Sequence, residues 1–246
     1  GTKFYFIQHH EIHNPHTRYR VEATWRLPLK KVTISRWLAD LAADNYGDSN
    51  VPVIHNSVET DRFFAERRCR NNPPVIGLLY SKTKFKGVDV AIEALQRLKD
   101  KLPQLGGLSF GANPPDESLS LPDWFEFTVS PNPERMRALY AECDLWFCAS
   151  RAEGFHLPPL EAMACRCPVV STAVGGPMDI IDGSNGTLVA VDDVVALTDA
   201  AHAILTTDSS TWAAMSDAAY KTATSYTWDD ATDLFEKAVV EACTHS

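Results

Sequence analysis

The sequence contains no apolar run approaching the roughly 20 residues that a membrane-crossing helix needs, and its N-terminus carries no signal-peptide pattern. Positive charge is also scarce: 23 Lys and Arg stand against 32 Asp and Glu, for a net charge of −9 and a pI near 5.3. That balance argues against wrapping nucleic acid or spreading on an anionic lipid surface, although a local basic site stays open. The six cysteines (Cys69, Cys143, Cys148, Cys165, Cys167 and Cys243) form no C-x-x-C pair and no zinc spacing. Several lie inside apolar runs, as small buried hydrophobes do, so reduced thiols in a cytoplasmic protein are the expectation. No G-x-G-x-x-G follows a predicted strand, which disfavours a dinucleotide-binding dehydrogenase. Internal repeats and low-complexity segments are absent. The first residue is Gly1 rather than methionine, as expected of a trimmed chain.

What is present suffices for a substantial core. The 246 residues are 45% hydrophobic, enough for one large domain or two small ones. Residues 3–8 read as a short aromatic strand, and 9–18 as polar and turn-rich. Residues 31–35 alternate like a strand, after which Ser35 caps a helix over 36–45. A short strand is expected at 51–54 and a polar linker at 61–74. From Val75 the pattern becomes regular. Strands are predicted at 75–80, 108–110, 125–129, 144–150, 168–171 and 187–189. Helices are predicted at 88–101, 134–142, 159–164, 194–205, 210–224 and 228–243. Strands alternating with helices give βαβ units and an α/β fold with a parallel sheet flanked by helices.

The most informative stretch is Glu153-Gly154-Phe155-His156-Leu157-Pro158-Pro159-Leu160-Glu161-Ala162-Met163-Ala164. It carries two glutamates eight positions apart across a strand-to-helix turn. Proline suits a helix opening, so Glu161 is expected in the first helical turn and Glu153 on the loop before it. Turns at the carboxyl ends of parallel strands are where open α/β sheets bind ligands, and helix N-termini favour phosphate. Two carboxylates beside a phosphate would repel it unless they reach past it to hydroxyls. The pattern therefore points to a ligand with both a diphosphate and sugar hydroxyls. A glycosidase acid and nucleophile is the other reading of such a pair. Upstream, Lys82, Lys84 and Lys86 lie in a βα loop ending at Gly87, a placement suited to a diphosphate's charge. His9-His10-Glu11-Ile12-His13 is H-E-x-H, not the H-E-x-x-H that places two histidines on one helical face. Asn14-Pro15 would also break such a helix, so no metal site is expected there.

The E-x7-E run with E-A-M-A resembles the signature of the retaining GT-B glycosyltransferases of family 4. Lys86-Gly87 resembles the end of that family's G-R-x-x-x-x-K-G loop, with Leu79 or Tyr80 where the family's arginine stands. Gly111-Ala112-Asn113-Pro114-Pro115 is similar to its second-strand glycine turn. The run 127–136 resembles the loop that receives the nucleotide base around Val129 and Ser130. Ser171-Thr172-Ala173-Val174-Gly175-Gly176-Pro177 and 182–188 resemble its S/T-x-x-G-G and d-g-x-N-G-x-l segments.

The resemblance implies a Rossmann-like, C-terminal half of a GT-B fold that binds a nucleotide-sugar donor. It assigns Glu161 to the ribose hydroxyls and Glu153, as the catalytic residue, to the donor sugar. Lys86, Lys82, Gly154, Phe155, His156 and Leu157 would hold the rest of the donor, with Val129 and Ser130 at the base. It implies no cofactor and no metal. Residues 1–30 would be a remnant of an N-terminal acceptor domain or linker, 31–228 the nucleotide-sugar domain, and 229–246 a helix crossing back. The acceptor would then bind mainly to a missing N-terminal domain, leaving this chain inactive by itself. The full-length enzyme would be cytoplasmic, with room for peripheral association at the membrane's cytoplasmic face. A non-enzymatic nucleotide-sugar-binding domain and half of a GT-B epimerase are the alternatives.

Overall fold

The computed structural model describes residues 1–12 and 16–244; His13, the last histidine of the H-E-x-H run, lies outside the described residues. In chain order the elements are β1 (Phe4–Ile7), α1 (Arg18–Trp25), β2 (Lys30–Thr33), α2 (Arg36–Tyr46), β3 (Val75–Leu79), α3 (Val88–Lys101), β4 (Gly106–Gly111) and β5 (Phe125–Val129). There follow α4 (Pro133–Glu142), β6 (Leu145–Cys148), α5 (Leu157–Ala164), β7 (Val169–Thr172), α6 (Pro177–Ile180), β8 (Gly186–Val189), α7 (Val194–Thr206), α8 (Ser209–Thr224) and α9 (Trp228–Thr244).

Six strands form one all-parallel sheet in the order β5-β4-β3-β6-β7-β8. Numbered within the sheet this is 3-2-1-4-5-6, the doubly wound Rossmann order, whose switch point lies between β3 and β6. The α/β Rossmann-like class expected from the alternating pattern is therefore the observed one. β6 is buried along its whole length. Its side chains alternate between faces: Trp146 and Cys148 join the core under α4, α5 and α8, while Leu145 and Phe147 join the core under α3 and α7. Trp146 packs against Phe110 and Tyr140 with ring centroids 5.6 and 4.5 Å away. At the strand's start the buried Asp144 carboxylate accepts from Arg68, Asn71 and the Val75 amide, which ties the 61–74 linker to the sheet.

The remaining strands make a smaller unit. β1 and β2 pair in parallel as a separate two-stranded sheet, so Lys30–Thr33 lies beside Phe4–Ile7 and not in the large sheet. Ser35 caps α2 by accepting from the Leu38 amide, as expected. The strand expected at 51–54 is reduced to one bridge, Thr33 to Val53, in which the Thr33 amide donates to the Pro52 carbonyl and the Ile54 amide donates to the Thr33 carbonyl. α1 follows the turn-rich segment in a stretch where no element is expected, because its sequence RYRVEATW carries little apolar periodicity. The helix anchors through the fully buried Trp25. α9 returns to this unit, and its Ala231 packs with Val32 and Ile54.

Candidate active site

The loops after β3 and β6 leave the sheet on either side of the switch point, and they meet. Lys86, at the end of the β3–α3 loop, donates to both oxygens of Glu153 at 2.7 and 3.0 Å. Ser150 donates to the same carboxylate at 2.7 Å, and His156 Nε2 lies 3.6 Å from it. Glu153 is 5% exposed. Burial pushes its carboxyl up, but the charges of His156 and Lys86 and the hydrogen bonds from Lys86 and Ser150 outweigh that, leaving it below the ordinary range. Burial also pushes His156 down to about 4. The ring is therefore neutral at neutral pH, where Lys86 is the cation beside Glu153; His156 contributes its charge only in the acid range in which the carboxyl itself titrates.

The turn between Glu153 and α5 is shaped by close backbone approaches. A side chain at Gly154 would strike the Gln8 carbonyl, so the loop leaving β1 rests directly on the turn. Gly175 and Gly176 abut the backbone carbonyls of Glu153 and Phe155, which gives the S/T-x-x-G-G segment a packing reason for its glycines. His156 adopts φ 70°, ψ 80° as the residue before α5, a left-handed conformation uncommon for a non-glycine residue.

The helix starts at Leu157, two residues earlier than expected. Both prolines sit in its first turn, where amide hydrogens lack helical partners anyway. Glu161 therefore falls in the second turn rather than the first. There it accepts a 2.7 Å hydrogen bond from Tyr140, a fully buried side chain on α4. Burial raises the Glu161 carboxyl and the Tyr140 bond only partly offsets this. The two glutamates of one signature are thus pushed in opposite directions, an arrangement common where two carboxylates do different work.

The other expected positions spread along the same sheet edge. Val129 is 48% exposed at the end of β5, and Ser130 follows at φ 44°, its amide donating to the Gly111 carbonyl. β5 is three strands from β6, about 14 Å at the usual strand spacing, so a ligand reaching from Glu153 to Val129 would be extended across β3 and β4. Lys82 does not join the Glu153 cluster; it pairs with Asp116 at 2.7 Å on the surface. At the other end, Gln8-His9 lies against both site loops, since His9 also stacks near Phe85. His10 is engaged elsewhere, with its Nε2 2.7 Å from the Tyr46 hydroxyl.

The model of the family described as "Glycosyl transferases group 1" matches residues 74–207, more than half of the chain. This chain belongs to that family. Among its relatives, D-inositol 3-phosphate glycosyltransferase of Mycobacterium avium is 30% identical over 202 residues, which cover 75% of this chain and 48% of that protein. GDP-mannose-dependent alpha-(1-6)-phosphatidylinositol monomannoside mannosyltransferase of Mycolicibacterium smegmatis is 30% identical, covering 70% and 52%. The chain thus spans about half the length of the curated relatives it matches. Among solved structures, sucrose-phosphate synthase from Thermosynechococcus elongatus superposes with a TM-score of 0.82 at 19% identity, covering 99% of this chain and 68% of that one. Anabaena Alr3699/HepE, solved in complex with UDP-glucose, gives 0.77 at 19% identity, covering 99% and 72%. Both share the GT-B glycosyltransferase fold.

Three partners in this group 1 glycosyltransferase chain escaped the sequence reading. Tyr140 is 21 positions from Glu161 inside a helix, with nothing local to single it out. Ser150 lies only three residues before Glu153, where a hydroxyl near a signature carboxylate was a usable signal. Arg151 bridges the two site loops by donating to the Lys84 carbonyl and pairing with Asp89 and Asp192. Among the described residues no helix is long and apolar enough to cross a membrane.

Proposed function

We propose that this chain is the donor-binding lobe of a retaining, family 4 glycosyltransferase, holding a nucleotide sugar along the edge from Val129 to Glu153. The observation that carries this reading is the meeting of Lys86 and Glu153 at the switch point, with Glu161 on the helix that opens there. Lys86 takes the diphosphate, and Glu161 accepts from the ribose hydroxyls. Once Lys86 turns to the phosphates, Glu153 is released to the donor sugar. Stabilising the departing diphosphate supplies the main catalytic effect. The sugar passes to a glycan, lipid or small-molecule acceptor with its anomeric configuration kept. No metal is required, because Lys86 and the N-terminal end of α5 supply the positive field.

Relatives of which this chain spans only about half, together with an apolar surface around the small unit, favour a further lobe for the acceptor. Phe6, Trp228, Leu234, Phe235 and Val240 are all exposed, and Phe6 and Phe235 meet edge to face at 5.8 Å. Exposed patches of this kind mark interfaces. Free cysteines, four of them buried, fit a cytoplasmic setting.

Calorimetric titration of the 246-residue chain with UDP, GDP, UDP-glucose and GDP-mannose, with and without EDTA, tests the reading. At least one should bind saturably and without metal, while no sugar is transferred to any acceptor supplied. Absence of binding by the whole panel to folded protein would overturn the donor site. Efficient transfer by this chain alone would overturn the single-lobe reading.

A further inference from the structure

A second cavity lies beside the signature turn and shares Phe155 and Leu160 with it, but none of its charged residues. It measures about 260 Å3 and sits where α5, α6, the end of α8 and the 55–56 segment come together. Small-molecule sites usually run from about 300 to 1,000 Å3, so this one suits a single ring. Three aromatic groups contribute to the wall: Phe155 from the signature, His55 with its ring 6.0 Å from Phe155, and Tyr226 with its ring 6.3 Å from His55.

Its polar lining mixes two carboxylates with hydroxyls, the His55 imidazole and the Asn56 amide. The Asp179 carboxylate, itself 3% exposed, accepts from the Arg36 amide at 2.9 Å and lies 3.1 Å from His55 Nε2 through Oδ2. Its other oxygen, Oδ1, is 3.8 Å from the Arg36 guanidinium, outside hydrogen-bond reach. Asp182 and Ser225 add a carboxylate and a hydroxyl. The Tyr226 hydroxyl is out of solvent contact, so the ring and not the hydroxyl borders the cavity.

Aromatic faces suit the C–H faces of a sugar ring, and carboxylates accept from ring hydroxyls through charge-assisted bonds. Two carboxylates in the lining disfavour a phosphorylated ligand by like-charge repulsion. We infer that this cavity is a second carbohydrate subsite, which takes one neutral polyhydroxylated ring (a sugar or cyclitol) separate from the nucleotide sugar. It goes beyond the donor reading: Phe155, which the family resemblance gives to the donor, forms part of the wall, but Lys86, Glu153 and Glu161 do not line it.

The test uses the 246-residue chain with methyl α-mannopyranoside, methyl α-glucopyranoside, myo-inositol and mannose 6-phosphate, followed by calorimetry and by amide chemical shifts. At least one neutral ring should bind saturably and move resonances of residues 55–56 and 222–226. Asp182→Ala removes one carboxylate acceptor from the lining and should weaken that binding about tenfold, the loss of one charge-assisted hydrogen bond. Ala223→Leu fills the cavity and should abolish it. Both variants should bind UDP or GDP as the wild type does. Three results would each overturn the subsite: no saturable binding of any neutral ring, tighter binding of mannose 6-phosphate than of the neutral rings, or binding that both folded variants leave intact. Loss of nucleotide binding in the wild type would instead count against the donor site and leave the cavity standing.

Discussion

The two halves of the signature sit in different physical settings although only eight positions separate their glutamates. Glu153 lies on a turn assembled by loops from three parts of the chain: Lys86 after β3, Ser150 after β6, and Gln8 after β1 pressing on Gly154. Glu161 lies on a regular helix and has a single hydroxyl partner, Tyr140. The first carboxylate is held ionised by a cation, while the second is raised by burial. Recognition of a fixed part of a ligand fits the rigid helix, and a group that must be released during a reaction fits the ion-paired turn.

The sharpest way to break this comparison is Glu161→Ala. If the helix half binds ribose, the variant loses about 1.5–3 kcal/mol of affinity for nucleoside and nucleoside diphosphate alike, the worth of hydrogen bonds to a charged group. Calorimetry on a variant with wild-type circular dichroism reads it. Unchanged affinity would remove Glu161 from the site.

Lys86→Ala probes the turn half, and its effect should be smaller, about 1.5 kcal/mol. Lys86 is already paired with Glu153 in the free protein, so a diphosphate gains only the difference between two partners. The loss should appear with nucleoside diphosphate and vanish with the nucleoside alone. Equal losses for both ligands would mean that Lys86 acts through folding.

His156 sharpens the comparison through pH. Its folded value of about 4 lies below the ordinary imidazole value near 6.5. Between those values the unfolded chain binds a proton that the folded chain does not, so stability falls as pH drops from about 6.5 to about 4. The slope from this one group is at most about 1.4 kcal/mol per pH unit. His156→Asn keeps a residue that tolerates left-handed backbone and removes the titration. Urea midpoints measured across that window should fall less steeply for the variant. Parallel curves would mean that His156 titrates normally.

How far the site could be read in advance differs between the two halves. Val88–Lys101 and Phe125–Val129 match their expected bounds because each carries an uninterrupted pattern between clear breakers. The Lys86 and Glu153 positions were legible as motif residues, but their contact was not, since it depends on β3 and β6 being neighbours in the sheet. Lys82 has the same composition and loop as Lys86, yet Asp116 draws it away, a choice decided by the 3-10 turn after β4. Tyr140 and the start of α5 were hidden for a related reason. The left-handed His156 precedes a helix that begins at Leu157, and Glu161 in its second turn meets the Tyr140 hydroxyl of α4.

The Tyr140 contact can be tested through the smallest of these effects. Tyr140→Phe removes one hydroxyl and nothing else from a fully buried ring that also packs on Trp146 and Phe110. The Glu161 carboxylate loses its donor, so about 0.5–1.5 kcal/mol of stability should be lost at neutral pH. Because the Tyr140 bond lowers Glu161 while burial raises it, its removal should move Glu161 further up. A raised acid favours the folded state at low pH and loses that advantage as pH rises through its folded value. The penalty in Tyr140→Phe should therefore shrink toward low pH, where Glu161 is protonated in both proteins. Denaturation midpoints at acidic and neutral pH give the comparison directly. A penalty independent of pH would show that the tyrosine serves the core alone, and that the helix half of the signature is held by packing rather than by its hydroxyl.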